Sequence, residues 1–243
     1  MGELPFVDNL GLELMSLPVV AFMFLYVTVR AYQARRMEAF QRIKEVLSEG
    51  AVVIFGVGGI ATLLGLWGEF TWTLPGSYNL LFDDAYILLG LVLMVFSASV
   101  LLGKGASSSG LLSMLSGIIT IWYGLNAYLL GLTKEPIALL GIYGLFGLSA
   151  VVGLPVTRVL DSWLREARTG VEASDKASIP KVSPQLTRMV GQGAQISLDV
   201  PSGWLVRNQT MVLVVFWFLL VAAGLLSGYV AFNTIPAHLA SAP

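Results

Sequence analysis

The chain has no cysteine. Disulfides, zinc–thiolate sites, iron–sulfur clusters and thiol catalysis are therefore excluded, while the redox compartment stays open. Histidine is almost as scarce. His238 is the only one, near the C-terminus, which excludes bis-histidine haem and multi-histidine metal sites within one chain. Charged residues make up 12% of the sequence, against the quarter or so that a soluble domain uses to clothe its surface. No basic stripe alternates with exposed aromatics, so nothing argues for nucleic acid as a partner. A P-loop and a dinucleotide fingerprint are also missing.

What is abundant is apolar sequence. Residues of that kind form 56% of the chain, and they are grouped into runs. A hydrocarbon core of about 30 Å needs ~20 residues of helix. Six runs meet that length, at about 14–29, 50–68, 85–103, 111–132, 136–157 and 210–232. Lipid cannot satisfy an open backbone, and these runs lack the alternation of barrel strands. The expected fold class is all-α: a polytopic transmembrane helix bundle with six spans, its principal partner the lipid bilayer of the cell membrane.

Charge sets the expected orientation. Residues 1–14 carry Glu3, Asp8 and Glu13 and no basic residue, unlike a cleaved signal with its positive leading segment. Arg30, Arg35, Arg36, Arg42 and Lys44 follow the first span instead. With cytoplasmic segments at about 30–49, 103–109 and 158–209, thirteen of fourteen basic residues lie inside, and only Lys134 lies outside. Acidic residues split eight to seven. The bias in basic residues places both termini outside.

Three segments follow from this layout. Residues 1–160 form a five-helix transmembrane bundle with a surface helix at about 31–48, where Met37, Phe40, Ile43 and Leu47 share one face. The plain alternative, which we prefer, is a helical extension of span one. Residues 161–209 form a cytoplasmic linker rich in Gly, Ser and Pro, with a small hairpin possible over 195–206. Residues 210–243 hold the sixth span and a short outer tail.

Glycine marks the expected packing. Gly110, Gly117, Gly124 and Gly131 recur every seven residues through span four, and Gly141, Gly144 and Gly147 crowd span five. Gly56, Gly58, Gly59 and Gly65 lie in span two, Gly224 and Gly228 in span six. Glycine lets helices approach closely where lipid gives no hydrophobic drive, within one chain or between copies in a homo-oligomer.

The outer connection between spans two and three is the most unusual stretch. Trp67, Glu69, Trp72, Tyr78, Asn79, Asp83 and Asp84 fall close together there, around Pro75-Gly76, a good type II turn centre. Much of this is ordinary: aromatics suit the head-group belt, and Asp83 or Asp84 can cap span three. Glu69 is the exception, because it ends a helix whose dipole repels an anion. An acidic lid over the bundle mouth would favour calcium or magnesium, although capping and anchoring explain most of these residues without a ligand.

The run Trp72-Thr73-Leu74-Pro75-Gly76-Ser77-Tyr78-Asn79, with Leu81-Phe82 and a following acid, resembles the signature of an uncharacterised multi-pass family known mainly from archaea. That family is catalogued as a domain of unknown function. The close match covers about Trp67 to Gly90. It implies a membrane location and supplies no activity, cofactor or catalytic residue.

Within the spans, Asn126 beside Tyr123 and Tyr128 is the best polar candidate, with an interhelical hydrogen bond as its simplest role. Ser97, Ser99, Ser113, Ser116 and Thr120 are expected to bond their own helices or neighbours, and none is marked as a nucleophile. Every carboxylate is expected at a span end or in a loop, which weakens the case for an ion-coupled carrier. No cofactor is implied. The function classes, in order, are a structural or accessory subunit of a membrane complex, a small-solute or ion carrier or channel, and a membrane enzyme using outer carboxylates with a metal.

Overall fold

The computed structural model describes residues 9–72, 74, 78–178 and 203–241. The turn centre at Pro75-Gly76 and residues 195–202 of the expected hairpin lie outside them. Among the described residues seven helices follow one another: α1 (Asn9–Arg36), α2 (Phe40–Thr71), α3 (Tyr78–Leu101), α4 (Ser107–Leu129), α5 (Pro136–Ser178), α6 (Gly203–Arg207) and α7 (Gln209–Ser241). All except α6 are long and apolar enough to cross a bilayer. The protein is a six-span, all-α membrane bundle, and no strand occurs among the described residues.

The six spans form a ring that is bridged by a contact between α2 and α5. Each packs on its neighbour in chain order, α5 passes directly to α7, and α7 closes onto α1. One face of the ring carries the start of α1, the α2–α3 and α4–α5 connections and the end of α7. The opposite face carries the connections rich in Arg and Lys and is called the basic face below. Large apolar side chains such as Phe70, exposed to 84%, point outward from the bundle, as lipid contact requires.

Helix ends follow recognisable local chemistry. Gly131 has φ +61°, with Gly131 N–H donating to Tyr128 O and Leu132 N–H to Ala127 O. These are the paired bonds of a Schellman ending. Gly131 therefore stops α4 and does not continue the expected stripe; a Cβ there would meet nothing within 4 Å. The other three stripe glycines face α5. At Gly117 a Cβ would sit 2.5 Å from Gly147 O and 2.9 Å from the Ala150 Cβ, and at Gly124 it would strike Tyr143.

Three further expectations change. The segment after span one is not one continuous helix: α1 stops at Arg36, Glu38 turns the chain at φ 55°, and α2 begins at Phe40. Ile43 and Leu47 thus belong to span two and are buried, while Met37 is exposed in the turn. Trp204 and Leu205 lie in α6, not in a strand. Asp83 and Asp84 cannot cap span three, because α3 already starts at Tyr78, more than a turn before either of them.

Candidate functional site

Polar side chains converge where α2 gives way to α3. Trp72 ends α2 in a left-handed conformation at φ 50°, its N–H bonded to Gly68 O at 2.8 Å. Asn79, on the first turn of α3 and 0% exposed, reaches back across this ending. Its amide donates to Gly68 O at 3.0 Å and, at the long limit of 3.5 Å, to Glu69 Oε1, while its carbonyl accepts from Leu74 N–H at 3.0 Å. One side chain thus ties together the end of α2, the connection and the start of α3. Buried beside it, Asp83 packs where a Cβ on Gly68 would collide with its carboxylate.

The remaining expected cap residues point elsewhere. Asp84 accepts from the Tyr123 hydroxyl on α4 at 2.7 Å. Tyr78 donates to Leu132 O in the α4–α5 connection and stacks on Phe82 at 6.4 Å. Trp67 and Trp72 are exposed on the outside of the ring. No three His, Cys, Asp or Glu side chains converge as metal ligands among the described residues. Asn126 donates to Trp122 O of its own helix at 2.8 Å, not across to a neighbour.

Residues that the sequence did not mark as a site complete this end of the bundle. Glu13 of α1 is 3% exposed and lies within a membrane-spanning helix. One turn away, the Ser16 and Tyr86 hydroxyls meet at 2.5 Å, joining α1 to α3. Buried Tyr143 of α5 donates to Leu81 O at 2.6 Å. Glu13 and Asp83 lie in the first two turns of their spanning helices, at span ends as expected, yet both are buried inside the bundle. Leu10, Leu14 and Leu17 share a helical face with Glu13, and that register was the available signal.

Glu13, Tyr86 and Tyr143 line one end of an elongated chamber bordered by α1, α3, α4, α5 and α7, with a cavity volume of about 160 Å³. Its wall is mostly apolar. Toward the basic face it passes Phe24 and Phe96, whose rings pack on one another at 5.4 Å in its wall, and ends at Leu160 and Phe216. Beyond these, Tyr32 packs on Trp163 and Trp217, and Trp163 donates to Gln209 at 2.9 Å. Consecutive helices α3 and α4 form the sparsest seam of the ring. Val92 and Phe96 of α3 and Ser113 and Ser116 of α4 face the chamber.

The family model described as Protein of unknown function (DUF981) matches residues 1–169. The chain belongs to that family. The DUF981 match covers α1 through α4 and α5 as far as residue 169, so it includes the Asn79 tie, the buried carboxylates and most of the chamber wall. Outside the DUF981 segment, α7 adds Phe216 and Leu220 to that wall. No curated protein and no solved structure matches the chain.

Proposed function

We propose that this chain is a multi-pass protein of the cell membrane that holds a small apolar molecule inside its helix ring. The reading belongs to the solute-handling class, placed second from sequence, and not to the accessory-subunit class placed first. It is carried by the elongated chamber of about 160 Å³. A purely structural subunit gains nothing from unfilled interior space, because wall atoms without neighbours forfeit dispersion contacts. Spaces between the helices of a bundle are common ligand sites. The aromatic packing at the basic-face end supports a blind pocket over an open ion path. The metal-enzyme reading draws little support from carboxylates that face different partners.

The orientation belongs to the same proposal. The basic face is cytoplasmic and both termini are outside, as the placement of thirteen of fourteen basic residues supports. The test of function is direct. Protein purified in mild detergent from its own membranes is denatured, and the released small molecules are identified by mass spectrometry. One apolar compound retained per chain is expected. A folded, stable preparation that carries none and takes up none would overturn the reading.

A further inference from the structure

The two ends of the chamber differ in chemistry, and the difference selects a kind of ligand. Along α1 the lining runs from Glu13 to Thr28, and along α3 from Phe82 to Phe96. At 1.5 Å of rise per residue, each stretch is roughly 20 Å long. The space is therefore elongated and lies along the helices, as a lipid chain does.

A row of hydroxyls on α4 and α5 gives part of the wall a polar composition without making it wet. Ser109 donates to Ala106 O, Ser113 to Ala150 O and Thr120 to Ser116 O. Ser149 and Thr157 likewise donate to Leu145 O and Leu154 O. With their protons already placed on backbone carbonyls, these groups offer water few further bonds. Such a space prefers an apolar occupant.

The Glu13 end is different. A buried carboxylate, the Tyr86 hydroxyl and the Tyr143 hydroxyl come together there, with Asp83 and Asp84 on the adjoining turns of α3. Among the described residues no Lys, Arg or His lines the chamber. A carboxylate accepts several hydrogen bonds, so Glu13 has capacity for a ligand donor besides its protein contacts. An anionic head would find carboxyl groups beside it and no basic residue to pair with, so its burial there is costly.

Resting on the reading of the chamber as a binding site, we propose that its ligand is an elongated amphiphile whose head donates hydrogen bonds and carries no negative charge. The head sits at Glu13 and Tyr86. The tail follows α1 and α3 toward Phe24 and Phe96.

The experiment uses the full chain in nanodiscs and four probes of equal chain length: hexadecanol, hexadecylamine, palmitate and hexadecane. Retention after release from the disc is read by native mass spectrometry. Hexadecanol and hexadecylamine should be retained above hexadecane, and palmitate least. A hydrogen bond to a charged group corresponds to roughly a tenfold preference for the alcohol over the alkane. Glu13→Gln should lower hexadecylamine retention and leave hexadecane unchanged, which also reports that the variant is folded. Val92→Trp, which fills the chamber, should abolish retention of all probes.

Two failures are distinguishable. If palmitate is retained as well as hexadecanol, or a folded Glu13→Gln keeps the wild-type order, the head-group assignment falls while the chamber stands. If no probe is retained, or Val92→Trp changes nothing, the chamber itself is not a binding site and both readings fall. The order of probes on the wild-type protein decides the head-group question even where Glu13→Gln does not fold.

Discussion

Asp161 of α5 caps the start of α4 at Ser107 from the neighbouring helix. Its carboxylate, on a residue 5% exposed, accepts from Ser107 N–H at 2.9 Å, from the Ser107 hydroxyl at 2.5 Å and from Ala106 N–H at 2.6 Å. The free amides that begin α4 are thus satisfied by a different helix, and the anion meets the positive end of the α4 dipole.

Replacing Asp161 should therefore loosen two helices at once. Asp161→Ala is expected to cost about 2 kcal/mol, the upper range for a lost cap. Asp161→Asn, which keeps acceptor geometry without charge, should cost less. Thermal unfolding in detergent measures both. Equal melting temperatures for wild type and Asp161→Ala would refute the clasp.

The α4–α5 crossing gives the second prediction. Gly117→Leu and Gly124→Leu should each destabilise strongly, because α5 backbone or the base of Tyr143 occupies the space. Gly56, where a Cβ would meet nothing within 4 Å, is the control. Gly56→Ala should leave the melting temperature unchanged or raise it slightly, since alanine favours helix. A similar loss at all three positions would mean that helix contact is not the cause.

Asn79 should be the most sensitive polar residue of the α2–α3 connection. Asn79→Leu keeps the volume near constant and removes the bonds to Gly68 O and Leu74 N–H. Gly68 O keeps its bond from Trp72 N–H, whereas Leu74 N–H loses its acceptor, and the total cost is on the order of 1–3 kcal/mol. Glu69→Gln should matter far less, and millimolar calcium or magnesium should not raise the melting temperature of the wild type. A clear rise that Glu69→Gln removes would restore the cation lid.

Topology can be read on a background naturally free of cysteine. Ser107 is a poor probe because Asp161 holds it, whereas Ser108 and Lys134 are exposed on opposite faces. In intact cells an impermeant thiol reagent should label Lys134→Cys and spare Ser108→Cys. The reverse pattern would invert the proposed orientation.

Membrane class, number of spans and the packing face of α4 were legible in the sequence, and each for a local reason. Run length against bilayer thickness is counted along the chain, and a seven-residue glycine spacing marks one face of one helix. The same spacing misplaced Gly131, because a repeat does not reveal where a helix stops. The connection with Asn79 stood out by composition, but its role as a tie depended on α2 and α3 folding back on one another.

Closure of the ring was decided only in three dimensions. Whether α7 meets α1 is a matter of packing between segments almost two hundred residues apart, with the Trp217 indole donating to the Thr28 hydroxyl across 189 positions. That closure turns Glu13 from a charge at the edge of an apolar run into a carboxylate buried at the end of a chamber. The packing of α5 on α4 likewise joins Asp161 to Ser107, 54 positions away. Bilayer insertion depends on the apolar area of each segment taken alone, so the sequence by itself determines it. A cavity is space left between segments, defined by their relative placement, and only the tertiary structure contains it.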